Sequence, residues 1–475
     1  MRNLLLIFGL FCLVVSCSKT DIISPAAIGP ATPAPPSNPS TTNLKVPFSS
    51  KSEKYSKINE TTGLIVNQNN FYRYITQAEA QPLDFGLKPM YRFSMRDAVT
   101  YDFNGDGKLD LFAFCMRFEI FPENGDFGRN PGKFFIISDF FGGNRTKIIF
   151  DTDLSWVGGS FLLNDYDGDG KKDVAIFNSN AHQNVLYGIN LPLKPVRIYK
   201  IDNNFNLTYK EVGNLLNMHS GASGDIDNDG DIDIIQWPLN LGRGVEPENL
   251  RYPYVLYNDG SGSFTSKSLI SNQSDFKSKF YDWSASIYEL FDLNNDGNLD
   301  ILFGYNFGNV PKQTDPFNPS FDIVNKKIGI LWGNGTGQFD YTNITYLNLS
   351  DFQGHWMSLS GSGFTDFDGD GDIDIMLQST TNDISYSKTY VLYFLENKGN
   401  KTFDEATQTY VNGYYELDNS NYTHFYQPMF VDKDGDGDFD MVPDKSTAAW
   451  ESFKVIDNLY WEKQGKNYIR RNLNN

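Results

Sequence analysis

The chain has 475 residues, and 59 acidic against 40 basic side chains give it a formal net charge of −19 at pH 7. We expect no nucleic-acid partner, because nucleic-acid-binding surfaces are rich in Lys and Arg. Of the 3 cysteines only Cys115 lies beyond the N-terminal segment, so the sequence predicts no internal disulfide.

The first residues have the pattern of a secretory signal. A short basic segment, Met1–Asn3, precedes an apolar run, Leu4–Val15, that is too short to span a bilayer. The run ends in Val14-Val-Ser-Cys17, which resembles a bacterial lipobox with Val where Leu is more common. The resemblance implies that residues 1–16 are a signal peptide and that Cys17 becomes a lipidated N-terminus, which anchors the protein to the membrane. An ordinary signal peptide with an incidental cysteine is the alternative.

The segment after Cys17 predicts where the globular part is held. Ser18 follows the cysteine, which by the same resemblance implies an outer-membrane lipoprotein of a Gram-negative bacterium, facing the surface or the periplasm. Residues 17–43 are rich in Pro, Ser and Thr and predict an extended tether. Residues 44–94 contain two candidate strands, Gly63–Val66 and Phe71–Ile75.

An acidic motif then recurs six times, and each copy runs directly into an apolar, strand-like segment. We call each copy an acidic loop and number its positions 1 to 9 from the first aspartate. The candidate metal ligands at positions 1, 3, 5, 7 and 9 of the first three loops are Asp102, Asn104, Asp106, Lys108, Asp110, Asp165, Asp167, Asp169, Lys171, Asp173, Asp225, Asp227, Asp229, Asp231 and Asp233. Those of the last three loops are Asp292, Asn294, Asp296, Asn298, Asp300, Asp366, Asp368, Asp370, Asp372, Asp374, Asp432, Asp434, Asp436, Asp438 and Asp440.

These residue types indicate a hard divalent cation. Ca2+ takes about 6–8 oxygen ligands, which carboxylates can supply if the chain turns tightly around the ion. The Gly at position 6 permits that turn, and position 7 would contribute its backbone carbonyl. Asn104 and Asn294 replace one charged ligand with a neutral oxygen and predict weaker sites. We expect about six bound Ca2+ ions, one for each loop. A transition metal is not expected, because the loops lack the His or Cys that such metals prefer.

Two other interpretations of the loops are less favourable. Solvated turns also contain Asp, Asn and Gly, but six copies with one spacing argue against chance. An EF-hand requires Glu at position 12. The chain has Ala113, Ile176, Gln236, Phe303, Leu377 and Pro443 at that position.

The spacing of the loops predicts the fold. Their first aspartates lie 63, 60, 67, 74 and 66 residues apart, and such periods are typical of solenoids and propellers. The third unit shows four candidate strands, at Ser220–Gly224, Ile232–Trp237, Tyr254–Tyr257 and Phe264–Ile270. Glycine-rich turns that are typical of β-hairpins recur at residues 258–264, 333–339 and 397–403. Four antiparallel strands per unit, arranged radially, form a β-propeller.

The loops resemble the calcium-binding FG-GAP/VCBS repeats of integrin α-subunit propellers and of many bacterial surface proteins. The resemblance implies an all-β fold with a single β-propeller over residues 44–475. Acidic loops would join strands 1 and 2 of six four-stranded blades within residues 95–475. Integrin-type propellers have seven blades, so we favour seven, with residues 44–94 as a degenerate blade. Six blades with an N-terminal cap is the alternative.

A possible ligand face lies opposite the acidic loops. In a blade whose strand 1–2 turns carry the loops, the strand 2–3 and strand 4–1 connections lie on the other face. His182 is assigned to a 2–3 connection and the other candidates to 4–1 connections. The candidates are Arg96, Trp156, His182, His219, Trp283, His355, Trp356 and His424. Trp and Arg are favoured at binding hot spots, although the same residues could plug the central channel or pack between blades.

These observations favour a binding or adhesion module for a glycan or protein ligand, and not an enzyme. The sequence shows no nucleophile motif, no His-rich metal site and no paired catalytic carboxylates outside the loops. One alternative is a non-catalytic subunit of an envelope complex. Another is a polysaccharide lyase-like enzyme that abstracts a proton with Arg96, His219, His355 or His424.

Overall fold

The structure is a computed structural model. It describes residues 91–108, 110–117, 131–139, 146–154, 157–178, 192–216, 218–238, 252–269, 285–305, 314–315, 318–322, 328–339, 341–349, 357–381, 389–411, 415–416, 429–431, 440–442, 459–465 and 467–472. These residues form antiparallel β-sheets and one short helix, so the predicted all-β class is confirmed. No helix among them is long and apolar enough to cross a membrane.

Six sheets of four or five strands follow one another along the described chain, and we number them sheet 1 to sheet 6. Sheet 1 contains β1 (Tyr91–Tyr101), β2 (Asp110–Arg117), β3 (Lys133–Ile137) and β4 (Lys147–Asp151). Sheet 2 contains β5 (Val157–Asn164), β6 (Asp173–Asn178), β7 (Lys194–Ile201) and β8 (Leu207–Leu216). Sheet 3 contains β9 (Met218–Gly224), β10 (Asp233–Pro238), β11 (Tyr254–Asn258) and β12 (Phe264–Ser268).

The last three sheets repeat this order with additions. Sheet 4 contains β13 (Ala285–Phe291), β14 (Asp300–Tyr305), β17 (Gly329–Leu331) and β18 (Thr345–Tyr346), with a separate hairpin of β15 (Thr314–Asp315) and β16 (Asn318–Asp322) between its second and third strands. Sheet 5 contains β19 (Met357–Thr365), β20 (Asp374–Thr381), β21 (Thr389–Asn397), β22 (Phe403–Glu405) and β23 (Tyr415–Glu416), with helix α1 (Thr407–Tyr410) after β22. Sheet 6 contains β24 (Met429–Val431), β25 (Asp440–Val442), β26 (Leu459–Gln464) and β27 (Asn467–Asn472).

The second strands are buried on both faces, which explains why they are continuous apolar runs. Every residue of β6 is buried. Its alternate side chains belong to two different cores: Val174 and Ile176 pack toward sheet 1, whereas Ala175 and Phe177 pack toward sheet 3. A strand covered on both faces has no polar side to alternate with its apolar one.

Each of the four described cores is shared by two consecutive sheets. Between sheets 3 and 4, Trp237 stacks on Phe303 with ring centroids 6.2 Å apart. Between sheets 4 and 5, Phe291 stacks on Phe364 at 5.0 Å. The first strands also pack against one another in succession, β1 with β5, β5 with β9, β9 with β13, β13 with β19 and β19 with β24. The sheets therefore form one ordered series whose first strands are neighbours.

The predicted hairpin turns are confirmed. Asn258 pairs with Phe264 across the turn between β11 and β12, and Asn397 pairs with Phe403 between β21 and β22. Glycines in these turns have positive φ, as Gly260 does at 74°, which a residue without a Cβ adopts at little cost.

Two residues that were assigned to 4–1 connections lie inside strands instead, so that assignment was wrong. Arg96 belongs to β1, and His219 belongs to β9, which begins at Met218. The pairing of β1 with β2 shifts register between Phe93 and Ala98. At such a bulge the strand continues although its regular pairing is interrupted. The alternation of apolar and polar residues is interrupted there too, so the sequence does not show that the strand continues. β1 begins at Tyr91, which is before residue 95, where the first blade with an acidic loop was expected to start.

Candidate metal sites in the acidic loops

Each acidic loop that the structure describes joins the first strand of a sheet to its second strand. The connections are those between β1 and β2, β5 and β6, β9 and β10, β13 and β14, and β19 and β20. In the sixth loop, Asp432, Asp434, Asp436 and Asp438 lie outside the described residues, and Asp440 begins β25. The acidic loops of five sheets therefore occupy equivalent positions.

Left-handed backbone at two positions makes each loop compact. Position 6 is Gly in the five described loops, with φ between 82° and 99°. Position 4 also has positive φ and is either Gly or Asn, as at Gly105 with 77° and Asn228 with 59°. Gly and Asn are the residues that adopt this conformation most readily. Position 4 was not used in predicting the loops, although its restriction to Gly and Asn is visible in the sequence.

This backbone turns its N–H groups toward the carboxylate at position 1. In the first loop, Asp102 Oδ1 accepts hydrogen bonds from the amides of Gly105 (2.8 Å) and Asp106 (3.0 Å), and Oδ2 accepts from Gly107 (2.8 Å). The bond from the position 6 amide recurs in the other four described loops at 2.9–3.1 Å. The carboxylate at position 5 accepts from the position 7 amide at 2.8–2.9 Å in all five. The loops thus orient their own carboxylates.

Carboxylate oxygens converge in three of the described loops. In each, three residues supply one oxygen apiece, and these oxygens all lie within 4.8 Å of one another. The groups are Asp165, Asp167 and Asp169; Asp225, Asp227 and Asp229; and Asp366, Asp368 and Asp374. Positions 1, 3, 5 and 9 are therefore all represented among the converging groups.

The loops fit a cation because they contain buried carboxylate oxygens that accept no hydrogen bond in the described structure. Asp167 Oδ1 and Asp227 Oδ1, both at position 3, are buried and accept no hydrogen bond from any described residue. Asp173 at position 9 is only 3% exposed, and its Oδ2 is likewise unpaired within the described part of the chain. A buried charged oxygen without a partner is costly, and a Ca2+ ion bound by oxygen ligands would satisfy it.

The aspartate at position 9 has a second role that the sequence did not reveal. Asp233 is fully buried; its Oδ2 accepts from the amide of Ile226 (3.1 Å) and its Oδ1 from the amide of Asn258 (2.9 Å). Paired bonds of the same kind hold Asp110, Asp300 and Asp374. This carboxylate therefore ties its loop to the end of the third strand as well as facing the other ligands.

Burial perturbs these position 9 carboxylates. It raises the pKa of Asp110 to about 6 and the pKa values of Asp173, Asp233, Asp300 and Asp374 to about 7. Neighbouring loop carboxylates raise them further, while hydrogen bonds from backbone amides lower the pKa in all but Asp173, where the Lys200 charge does so. A cation would reverse the balance, since it stabilises the ionised form.

The first and fourth loops differ at position 3, where asparagine replaces aspartate. The Asn104 side-chain amide donates to Asp106 Oδ2 at 3.1 Å, and that of Asn294 donates to Asp296 Oδ2 at 3.0 Å. The amide thus satisfies a carboxylate oxygen internally. This contact agrees with the expectation of weaker cation binding, which stays a prediction.

Neighbouring loops contact one another along one edge of the series of sheets. Asn228 of the third loop donates from Nδ2 to Asn298 Oδ1 of the fourth (2.8 Å). Asn258, at the end of β11, donates from Nδ2 to the carbonyl of Tyr166 in the second loop (2.8 Å). Asn397 makes the equivalent bond to the carbonyl of Leu293 in the fourth loop (2.8 Å). Hydrogen bonds therefore link candidate metal sites of different sheets to one another.

Two lysines approach acidic loops from a third strand or from the residue directly after one, and the sequence did not reveal them. Lys200 of β7 forms ion pairs with Asp167 and with Asp169 (3.0 Å to Oδ2). Lys398, just after β21, lies 4.0 Å from Asp368 Oδ2. Their proximity depends on strand pairing, which the sequence does not display directly.

The predicted ligand face is largely outside the described residues. Trp156, His182, Trp283, His355, Trp356 and His424 lie there, as does the predicted anchor Cys17. Arg96 and His219 are placed in strands. The grouping of these eight residues on one face stays a prediction.

The repeated loop-and-strand unit has a match among known families. Residues 165–235 and 366–442 match the model of the FG-GAP-like repeat. Each match begins at the first aspartate of an acidic loop and ends in the second strand that follows the next loop. The chain therefore carries FG-GAP-like repeats at these two segments, and the resemblance seen in the motifs is confirmed.

The chain is also distantly similar to several solved structures. No curated protein matches the chain. Among solved structures, the chain is similar to the V. cholerae biofilm matrix protein Bap1 (16% identity, TM-score 0.32, 63% of this chain and 37% of that one). It is also similar to the Pseudomonas aeruginosa PilY1 C-terminal domain (13% identity, TM-score 0.31, 61% of this chain and 58% of that one). A third similar structure is rhamnogalacturonan lyase YesW (13% identity, TM-score 0.36, 80% of this chain and 72% of that one). The chain thus spans less than two thirds of the length of the first two structures.

Proposed function

We propose that the chain folds into a single β-propeller whose blades are the six sheets described above. Three observations support this arrangement. Each sheet contains a four-stranded antiparallel meander, consecutive sheets share cores, and successive first strands are neighbours. The residues between 44 and the start of β1 at Tyr91 would supply a seventh blade or a cap.

We propose further that the acidic loops bind about six Ca2+ ions that stabilise this fold. The unpaired buried oxygens of Asp167, Asp173 and Asp227 carry the proposal, because they need a partner that the described protein atoms do not supply. The side chains at positions 1, 3, 5 and 9 and the position 7 carbonyl would hold each ion. Bound calcium would supply positive charge only, and the loop backbone supplies the turn.

The calcium proposal is tested by metal content and stability together. We expect elemental analysis of protein equilibrated with millimolar Ca2+ to give about six calcium ions per chain. EDTA should lower the thermal midpoint by well over ten degrees, since binding to the folded state alone stabilises it by mass action. Protein that remained folded with near-zero bound calcium, and with the same midpoint in EDTA, would contradict the proposal.

We propose that the chain acts as a binding or adhesion module, held at the outer membrane through Cys17. Its ligand, a glycan or a protein, would bind the face opposite the acidic loops. The topology supports this placement. In each described meander the 2–3 connection leaves the end of the sheet away from the acidic loop, and loops on a rigid scaffold commonly carry binding residues. In sheet 4 this connection includes the extra β15–β16 hairpin.

Five measurements test the binding and anchoring proposals. A glycan array and a pull-down from outer-membrane extracts, both run with and without Ca2+, should give a ligand that requires calcium. Incubation with acidic polysaccharides should give no unsaturated product; its appearance would identify a lyase instead. The change Cys17→Ser should release the protein from membranes, and protease added to intact cells should degrade the wild-type protein if it faces outward.

A further inference from the structure

The second acidic loop has a positive charge of its own. Lys200 lies in β7, and the pairing of Val174 with Tyr199 places Lys200 opposite Asp173, the position 9 aspartate. Its ammonium contacts Asp167 and donates to Asp169 Oδ2 at 3.0 Å. One side chain from a neighbouring strand therefore pairs with the ligands at positions 3 and 5.

The contacts of Lys200 divide the loop oxygens into two sets. Asp167 Oδ2 and Asp169 Oδ2 face the ammonium, whereas Asp167 Oδ1 and Asp173 Oδ2 are buried without a partner in the described structure. Lys200 thus neutralises part of the site but leaves the oxygens that a Ca2+ ion would need. An ammonium is a compact charge on a flexible stem. The side chain of Lys200 is 41% exposed, so it can move into solvent.

We propose that Lys200 is a tethered counter-ion that competes with Ca2+ for the second loop. This inference rests on the proposed calcium binding. In the metal-free protein the ammonium holds the carboxylates together, and an entering Ca2+ ion must displace it. The second site is therefore weaker than its four aspartates would make it, and its loop stays ordered at calcium levels that leave this site unfilled.

The third loop shows what the second would be without this lysine. It has the same four aspartates at positions 1, 3, 5 and 9. Continuing the pairing of Ile234 with Leu256 places Tyr257, not a lysine, opposite its position 9 aspartate. The Tyr257 hydroxyl donates to the carbonyl of Gly337 in sheet 4 (2.6 Å). A cation at this strand position is thus a local feature of sheet 2 and not a requirement of the loop.

The test compares Lys200→Met with a matched control in the full chain. Methionine keeps an unbranched stem but removes the charge and the donors. Lys133→Met is the control, because it removes the same charge, and Lys133 pairs with Asp151 at the end of sheet 1 away from the acidic loop. With Ca2+ alone as the probe, calorimetric titration of Lys200→Met should show one site tightened on the order of tenfold, as loss of two ion pairs implies. In EDTA the same variant should melt below wild type, and with saturating Ca2+ the difference should vanish or reverse.

Labelling of the wild-type amine gives an independent measurement. Amine-reactive labelling followed by peptide mass spectrometry should show Lys200 reacting several-fold faster with Ca2+ than in EDTA, while Lys133 is unchanged. A calcium isotherm of Lys200→Met that matches wild type, with Lys200 labelling insensitive to Ca2+, would overturn the inference and leave calcium binding intact. If neither protein bound Ca2+ at all, the proposed function would fail together with it, so the two failures are distinguishable.

Discussion

The side chain of Asn258 connects two acidic loops, and its removal should be costly. It is 6% exposed, and its Nδ2 donates to the carbonyls of Tyr166 (2.8 Å) and Ile232 (3.2 Å). Asn258→Ala leaves both carbonyls without that donor. A buried polar group left unsatisfied costs about 1–3 kcal/mol, so we expect a loss of about 2–5 kcal/mol in the free energy of unfolding.

Asn397 provides an internal repeat of this experiment. It is 4% exposed, and its Nδ2 donates to the carbonyls of Leu293 (2.8 Å) and Ile373 (3.1 Å). Asn397→Ala should therefore cost a similar amount. Asn214→Ala is the control, because its Nδ2 donates to Ser266 Oγ at an exposed site (2.7 Å), and it should cost less than about 1 kcal/mol.

Equilibrium unfolding in urea at saturating Ca2+ measures all three variants, with the shift in midpoint converted through the wild-type slope. The reasoning would be refuted if Asn258→Ala and Asn397→Ala both unfolded within about 0.5 kcal/mol of wild type, or no earlier than Asn214→Ala. Unfolding of only one of the two at lower urea would show that the equivalent contacts are not energetically equivalent.

Two further predictions concern the acidic loops, and one concerns the buried guanidinium of Arg197 in β7. Asp227→Asn should weaken calcium binding at the third loop by roughly tenfold, since one ligand charge is lost. It should also raise the melting temperature in EDTA, because burial and then Asp229 and Asp225 raise the pKa of Asp227. The control Asp404→Asn, at an exposed position of β22, should change neither calorimetry nor melting. Arg197→Met should lower the free energy of unfolding, measured in urea, by about 1–3 kcal/mol. The buried guanidinium donates hydrogen bonds to Asp153 and Glu211 and lies 4.3 Å from the Tyr209 ring centroid. No measurable loss would show that solvent replaces these contacts fully. In EDTA the melting temperature should fall as the pH rises from about 4 to about 7. The reason is that folding raises the pKa values of the position 9 aspartates from 3.8 to about 6 or 7 and so favours their protonated form. Saturating Ca2+ should flatten this profile, and a metal-free melting temperature that rises with pH would contradict the assigned shifts.

Repetition made most of the fold predictable. The acidic loops, the strands of the third unit and the glycine-rich turns all follow from local residue types, because Gly and Asp have strong backbone preferences at fixed positions. The same preference at position 4 was equally legible. Strand ends at irregular pairings were not, which is why Arg96 and His219 were assigned to connections. A bulge changes pairing without leaving a clear residue pattern.

The candidate sites were predictable only in part, since their ligands are local but their surroundings are not. The aspartate at position 9 reads as a ligand in the sequence. Its bond to the third strand, as from Asp233 to the amide of Asn258, depends on residues separated along the chain. Lys200 and Asn258 act on the second loop from other strands for the same reason. Such contacts require strand register, and a single sequence does not specify it.

Sharing each core between two sheets has a consequence for how the chain is made. The alternating residues of β6 serve two interfaces, so sheet 2 cannot finish burying them until both neighbours exist. During synthesis, the most recently made sheet always presents one bare apolar side to its surroundings. An incomplete chain, whether ribosome-bound or truncated, should therefore aggregate with other incomplete chains through this apolar surface. A shortened version that ends between repeats should precipitate.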